Sequence, residues 1–430
     1  MPHTIIIGAG AAGLAAGRML HDAGYDILIL EARDRIGGRA WTDYTIADFP
    51  IELGAEFIHG EHAATHDLVW QAGLHTIPVV RMDNLWWAEP DQPALPRTHL
   101  SPHARDIIDG LLHDYHEMPA LIPPPHFVER GLGGGDISLA EYLRERGWDA
   151  DALRVADVLL AQTCCAGIES LSCYDLIREM GADHAGSEEF RIEEGYAALF
   201  DWYSQELPIQ LNTPVTEIFW DADEVMVISG NEKFAAQKCI ITIPVSLLSS
   251  SIAFFPSLSE SKQDAIRAFR TEAAAKLIYR FQEPLWDDSL TFMAYPGVAA
   301  RWWTPGYGRE GAATISAYIT AANARFFDEM DEQNALAVGL DELSVILGIP
   351  RAKLSQQCVA AQRISWTAEP YTRGGYAHIP PGYADARPIL AQPEKNILFF
   401  AGEATAYDTN PQTVHGALES GWRAAREVMG

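Results

Sequence analysis

The chain opens His3-Thr4-Ile5-Ile6-Ile7-Gly8-Ala9-Gly10-Ala11-Ala12-Gly13, and a second apolar run, Tyr25–Leu30, ends at an acid, Glu31. Strand, glycine-rich turn, helix, strand and acid, in that order, constrain the fold more than any other stretch. Gly8 permits a tight turn, Gly10 lets the backbone approach a pyrophosphate, and Gly13, beside Ala12, lets helix and strand pack closely. A helix begun at Ala11–Ala12 points its unpaired N–H groups and positive dipole end at phosphates. Glu31 follows Gly13 by 18 residues, where its carboxylate can accept hydrogen bonds from ribose hydroxyls. The amphipathic stretch Leu14–Leu20 and the helix-ending Gly24 complete the context the motif needs. The first unit is therefore predicted to be a dinucleotide-binding strand–helix–strand.

Bulk properties narrow the rest. A chain of 430 residues, 48% hydrophobic, can bury a large core and is predicted to form two lobes. Lysine and arginine number 31 against 59 acids, a net charge of −28, which argues against nucleic acid and anionic membrane as partners and would draw in cations. The five cysteines (Cys164, Cys165, Cys173, Cys239, Cys358) show no metal-like spacing, so no metal site is expected, and the odd, scattered set suits reduced thiols in a cytoplasm. No leader precedes the first strand and no run of about 18 apolar residues occurs, so a soluble cytoplasmic location is expected.

To about Pro78 the pattern alternates strand and helix, as a doubly wound α/β sheet requires. Asp83–Pro125 is rich in Pro, His and Trp; Pro123-Pro124-Pro125 breaks any helix, and Gly131–Asp136 reads as a connector. Ser138 with Glu141 three residues on marks a helix start, and helical periodicity runs to about Gly181. Strand patterns return at Ile209–Leu211, Val215–Trp220, Val225–Ile228 and Lys238–Ile243. Ile397–Ala401 reads as a buried strand and His415–Met429 as a closing helix. Dinucleotide-type segments lie at both ends and in the middle, so the two lobes are expected to interleave.

After Glu31 comes Ala32-Arg33-Asp34-Arg35-Ile36-Gly37-Gly38-Arg39, in which Gly38 brings the backbone near phosphates and Arg39 can add a charge-assisted contact. With the opening glycines, this segment resembles the flavin-dependent amine oxidases, which include monoamine and polyamine oxidases. Four further motifs carry the resemblance along the chain. Leu53-Gly54-Ala55-Glu56-Phe57-Ile58-His59-Gly60 is similar to the segment that runs along the flavin ring, and Trp366 to Tyr376 to the segment that sets aromatic residues against it. Gly402-Glu403-Ala404-Thr405 and Thr413-Val414-His415-Gly416-Ala417 resemble the C-terminal flavin-closing motif. A helix starting near Thr413 would aim N–H groups at the ring, stabilising the negative charge of its reduced form.

The resemblance implies a discontinuous FAD-binding domain (1–80, 190–275, 366–430), Rossmann-type, and a mixed-sheet and helical substrate domain (81–189, 276–365). It also implies contacts to FAD from Ala32, Arg33 and Val215, and a role for Lys276, in the mostly apolar Ala273–Phe281, matching the family's lysine that holds a water at flavin N5. A partly buried lysine there would have its pKa lowered by desolvation. Tyr376 matches one wall of the family's aromatic cage, where Thr413 replaces the opposite tyrosine of monoamine oxidases, and Gly375 replaces their flavin-linking cysteine; FAD is therefore expected to bind non-covalently. His59 resembles a histidine near the substrate of polyamine oxidases. The implied reaction is oxidation of an amine, a polyamine by preference, with oxygen as electron acceptor and hydrogen peroxide as product. An amino acid oxidase would need an arginine clamp for the carboxylate, for which Arg301 and Arg81 are candidates. Trp86-Trp87 and Trp302-Trp303 are expected either to line a substrate tunnel or to pack between lobes.

Overall fold

A computed structural model describes residues 2–121, 135–309 and 311–430. The proline triplet at 123–125 and the connector residues 131–134 lie outside them. The opening apolar run forms the strand Thr4–Ile7, all of it buried, and the helix Ala11–Asp22 follows directly. The strand sits third in a five-stranded parallel sheet, in the order Ile209–Gln210, Ile27–Leu30, Thr4–Ile7, Lys238–Ile241, Leu398–Phe400. Strands far apart in sequence lie side by side, because a parallel sheet requires crossovers and here long insertions fill them. The α/β architecture with interleaved segments is as the sequence indicates.

The closing helix Val414–Met429 packs on Ala11–Asp22, and the contact depends on a missing side chain. A Cβ at Gly421 would lie 2.2 Å from the Ala12 carbonyl oxygen and 2.9 Å from the Ala15 Cβ. Gly13 is as tight: its Cβ would lie 1.9 Å from the Gly8 carbonyl oxygen, so only glycine lets the helix begin this close to the strand.

A second, seven-stranded sheet runs Cys358–Ser365, Ala274–Phe281, Thr314–Thr320, Arg301–Trp303, Phe292–Ala294, Leu85–Trp87, Leu95–Pro96. All its pairings are antiparallel except Phe292–Ala294 with Leu85–Trp87. Its strand Ala274–Phe281 runs through residue 275, one of the expected domain boundaries. The helices Pro102–Leu121, Leu139–Glu145, Ala150–Leu159 and Cys173–Ala182 share a hydrophobic core with Trp87, Phe292 and Trp303, on one face of this sheet. Ser138 caps its helix by accepting from the Glu141 N–H at 3.1 Å, as the sequence predicts. Strand alternation divides the tryptophan pair: Trp302 packs into the core on the opposite face, whereas Trp303 turns toward Phe57 and Glu56. No helix among the described residues is long and apolar enough to cross a membrane.

Gly421→Ala is expected to lower stability by about 1–3 kcal/mol through overpacking, read as a lower melting temperature. An unchanged melting temperature would show that the two helices separate at no cost.

Candidate active site

Two parts of the molecule carry the candidate residues. The first is the carboxyl end of the parallel sheet. Glu31 ends its strand buried, accepting from the Ala9 N–H at 2.8 Å and the Arg33 N–H at 2.9 Å. Arg33 is turned away by Glu369 and by Thr372 Oγ1 at 2.6 Å, and Ala32 lies between the two. Gly10 bridges Gly37, and a Cβ on Gly10 would meet only the Gly38 Cα at 3.9 Å, which leaves a bare backbone cradle. Val215 packs in the core just past Thr213, whose N–H donates to the Glu31 carbonyl at 2.8 Å.

Arg39 reaches across to the C-terminal motif. Its guanidinium donates to the Gly375 carbonyl at 2.7 Å and lies 3.1 Å from Glu403 Oε1. Glu403 also accepts from the Ala377 N–H, yet its Oε2 is buried without a partner. Gly402 donates to Ser420 Oγ and lines a cavity with Arg39, Thr242 and Glu403. The Ala55 N–H donates to the Arg39 carbonyl at 3.0 Å, a Cβ on Gly54 would lie 1.8 Å from the same oxygen, and Trp366 donates to the Leu53 carbonyl at 3.0 Å. Thr413 caps the closing helix by accepting from the Gly416 N–H at 3.0 Å, so the free N–H of Val414 begins that helix. An orphaned buried carboxylate oxygen, a glycine cradle and two helix N-termini fit a dinucleotide carrying hydroxyls and phosphates.

The second part is one face of the seven-stranded sheet. Register sets Lys276 opposite Tyr318, and Tyr318 opposite Arg301. Trp303, two residues beyond Arg301, shares their face, because side chains alternate along a strand. Lys276 is buried and paired. Its ammonium donates to Glu56 Oε2 at 2.9 Å and to the Glu52 carbonyl at 2.8 Å. Glu56 also accepts from Trp303 Nε1 and from Arg191 Nε, both at 2.8 Å. Burial pushes the Glu56 carboxyl up, but the Lys276 and Arg191 charges outweigh it and hold the group below its ordinary value.

Phe57 stands between Arg81 and Arg191, whose guanidinium carbons lie 4.1 and 4.8 Å from its ring centre. Arg81 grips Glu189, which also meets His59 Nδ1 at 3.0 Å; His59 remains partly open, its side chain 42% exposed. Burial raises the Glu189 carboxyl, and the Arg81 charge and hydrogen bonds overcome that and hold it well below the usual range. Tyr376 donates to the Thr163 carbonyl at 2.8 Å and accepts from the Tyr318 hydroxyl at 2.6 Å. Burial pushes both phenols up, so both stay neutral.

Lys276, Glu56, Phe57 and His59 thus converge with Tyr376 and with Tyr318, Arg191, Glu189 and Glu52, which sequence reasoning did not select. Alternation in Glu189–Ile192 sends Glu189 and Arg191 to one face, a legible signal. Glu52, enclosed by Thr42 and the Tyr196 N–H, is pushed up to about 7 by burial.

A family model described as "Flavin containing amine oxidoreductase" matches residues 11–429. Lysine-specific histone demethylase 2 of Homo sapiens is 26% identical over 99% of this chain and 53% of its own length, so the chain spans about half of that relative. Polyamine oxidase 2 of Arabidopsis thaliana is 27% identical over 99% of the chain and 88% of its own. In fold, the chain is similar to putrescine oxidase solved with putrescine (TM-score 0.85, 21% identity, covering 100% of this chain and 99% of that one). Cyclohexylamine oxidase from Brevibacterium oxydans IH-35A is equally similar (TM-score 0.85, 21% identity, 99% and 98% covered).

Glu52 generates a pH prediction. Its folded pKa lies above the ordinary 4.5, so the folded chain holds more protons than the unfolded one between there and about 7, and stability falls as pH rises through that window. Glu52→Gln is expected to flatten this part of the melting-temperature profile. A slope equal to that of the parent would assign the proton to another group.

Proposed function

The chain belongs to the flavin-containing amine oxidoreductases, and on that premise we propose that it binds FAD non-covalently and oxidises an amine at the expense of oxygen. The observation that carries the reading is the buried Lys276–Glu56 pair set across the strands from Tyr318, whose hydroxyl donates to Tyr376, in a chain with a dinucleotide fold. Gly10, Gly13 and Gly38 would admit the pyrophosphate, Glu31 the ribose, and Glu403 with Arg39 the remaining polar chain. Bound there, the flavin would supply the hydride-accepting and oxygen-reducing chemistry of an amine oxidation that yields an imine and hydrogen peroxide. Covalent attachment through a cysteine needs a thiolate. Burial pushes Cys164 up and Cys165, beside Gly375, up to about 12, which supports non-covalent binding.

The residues divide the remaining work. The Tyr376 and Tyr318 rings offer faces that attract a cationic amine and still accommodate the neutral nitrogen that must react. Trp303, Phe57 and Phe292 exclude water and orient the apolar part of the substrate. Lys276, fixed by Glu56 and the Glu52 carbonyl, presents its remaining N–H to the reaction space, where it can hold a water or pass a proton. The oxidised product, an imine, hydrolyses to an aldehyde or ketone.

A polyamine is the substrate the sequence suggests, and the names of several relatives agree. The two acids nearest the site are already engaged, Glu56 by Lys276 and Arg191 and Glu189 by Arg81. The site itself, unlike the acidic chain as a whole, carries an excess of positive charge.

The purified protein is expected to be yellow, to release all its flavin on acid denaturation, and to bleach anaerobically with at least one amine. A colourless protein after reconstitution, or a flavin that no amine or amino acid reduces, would contradict the reading. Lys276→Met is expected to slow flavin reduction or reoxidation by about 10²-fold or more while the cofactor stays bound. Unchanged stopped-flow traces would remove Lys276 from the reaction.

A further inference from the structure

Arg301 is 3% exposed and faces no carboxylate among the described residues. Its Nη1 donates to Thr163 Oγ1, its guanidinium carbon lies 5.3 Å from the Phe292 ring centre, and its Nε is buried with no acceptor. Burial, with Arg81 as a like charge nearby, pulls its pKa down to about 10, so it remains a cation at neutral pH. An isolated charge in this setting is costly unless something pairs with it.

Among the described residues, nothing nearby supplies that partner. The phenols of Tyr318 and Tyr376 and the thiol of Cys164 are its electrostatic neighbours, and burial keeps all three neutral. Glu56 and Glu189 already serve Lys276, Arg191 and Arg81. Yet Arg301 lies beside the candidate site. Thr163, which accepts from Arg301, also accepts from Tyr376 through its carbonyl, and Tyr318 joins the two. Across the sheet Arg301 is two strands from Lys276, about 10 Å, on the same face.

Resting on the amine-oxidation reading, we propose that Arg301 binds a carboxylate carried by the substrate itself, so that this enzyme oxidises an amine that is also an acid. The guanidinium fork suits a planar carboxylate with two N–H···O bonds, and the aromatic floor of Phe57, Phe292 and Trp303 suits an aryl or long alkyl body. The same positive charge disfavours a polyamine, whose second ammonium would meet Arg301 rather than an acid.

The test uses the FAD-loaded full chain and substrate pairs differing by one carboxylate: each enantiomer of phenylalanine against phenethylamine, and 6-aminohexanoate against pentylamine, with spermine alongside. In at least one pair the acid is expected to have the higher kcat/KM, by about 100-fold, and Arg301→Gln to collapse that ratio. Equal or better turnover of the plain amines, or a variant that slows both members alike, would overturn the proposal and leave amine oxidation standing. Binding provides an arm independent of turnover. 3-Phenylpropionate, but not 3-phenylpropanol, is expected to raise the melting temperature of the holoprotein and to lose the effect in Arg301→Gln. Equal responses to acid and alcohol would overturn the carboxylate site. Failure of every amine to reduce the flavin would sink the broader reading instead.

Discussion

The site depends on one buried ion pair. Glu56 comes from the loop that leaves the dinucleotide-binding lobe, and Lys276 from the second strand of the substrate sheet, 220 residues later. Their contact fixes the distance between the loop that carries Glu56 and the sheet face, and Trp303 and Arg191 donate to the same carboxylate. Such a pair contributes little net stability, because desolvation offsets attraction, but losing one partner strands the other. It therefore acts chiefly to specify where the two lobes meet.

Around that pair the charges are arranged in tiers. Lys276 and Arg191 hold Glu56, Arg81 and His59 hold Glu189, and Glu52 sits close enough to neutral pH to change its charge there. Among these site residues cations outnumber ionised acids, although the chain's overall charge is −28. The local field thus opposes the global one. Long-range attraction governs approach, whereas local pairing governs what is retained.

The dinucleotide half of the fold was legible because its constraints are local. Gly8, Gly10, Gly13 and Glu31 each answer to a backbone or ribose requirement within one strand–helix–strand unit. The pairing of Lys238–Ile241 and Leu398–Phe400 with the opening strand was less legible, since register between distant segments leaves only apolar runs in the sequence. Lys276 stood out as a charge inside an apolar strand, and Tyr376 through its motif. Its neighbours did not. Tyr318 reaches the site only through cross-strand register, Arg301 was a candidate without a place until that register was seen, and Glu52 reads as one more acid until its enclosure by Thr42 and Tyr196 is seen. Thr413, which stands where monoamine oxidases have their second cage tyrosine, spends its hydroxyl on capping the helix expected to start there.

The most direct measurement is a double-mutant cycle on the pair that joins the lobes, Glu56→Gln and Lys276→Met, read by equilibrium unfolding of the holoprotein. Each single change should cost about 3–5 kcal/mol by stranding a buried charge, and the double variant should cost much less than their sum. Strictly additive costs would mean that the two side chains do not depend on one another, and the account of how the site is assembled would fail.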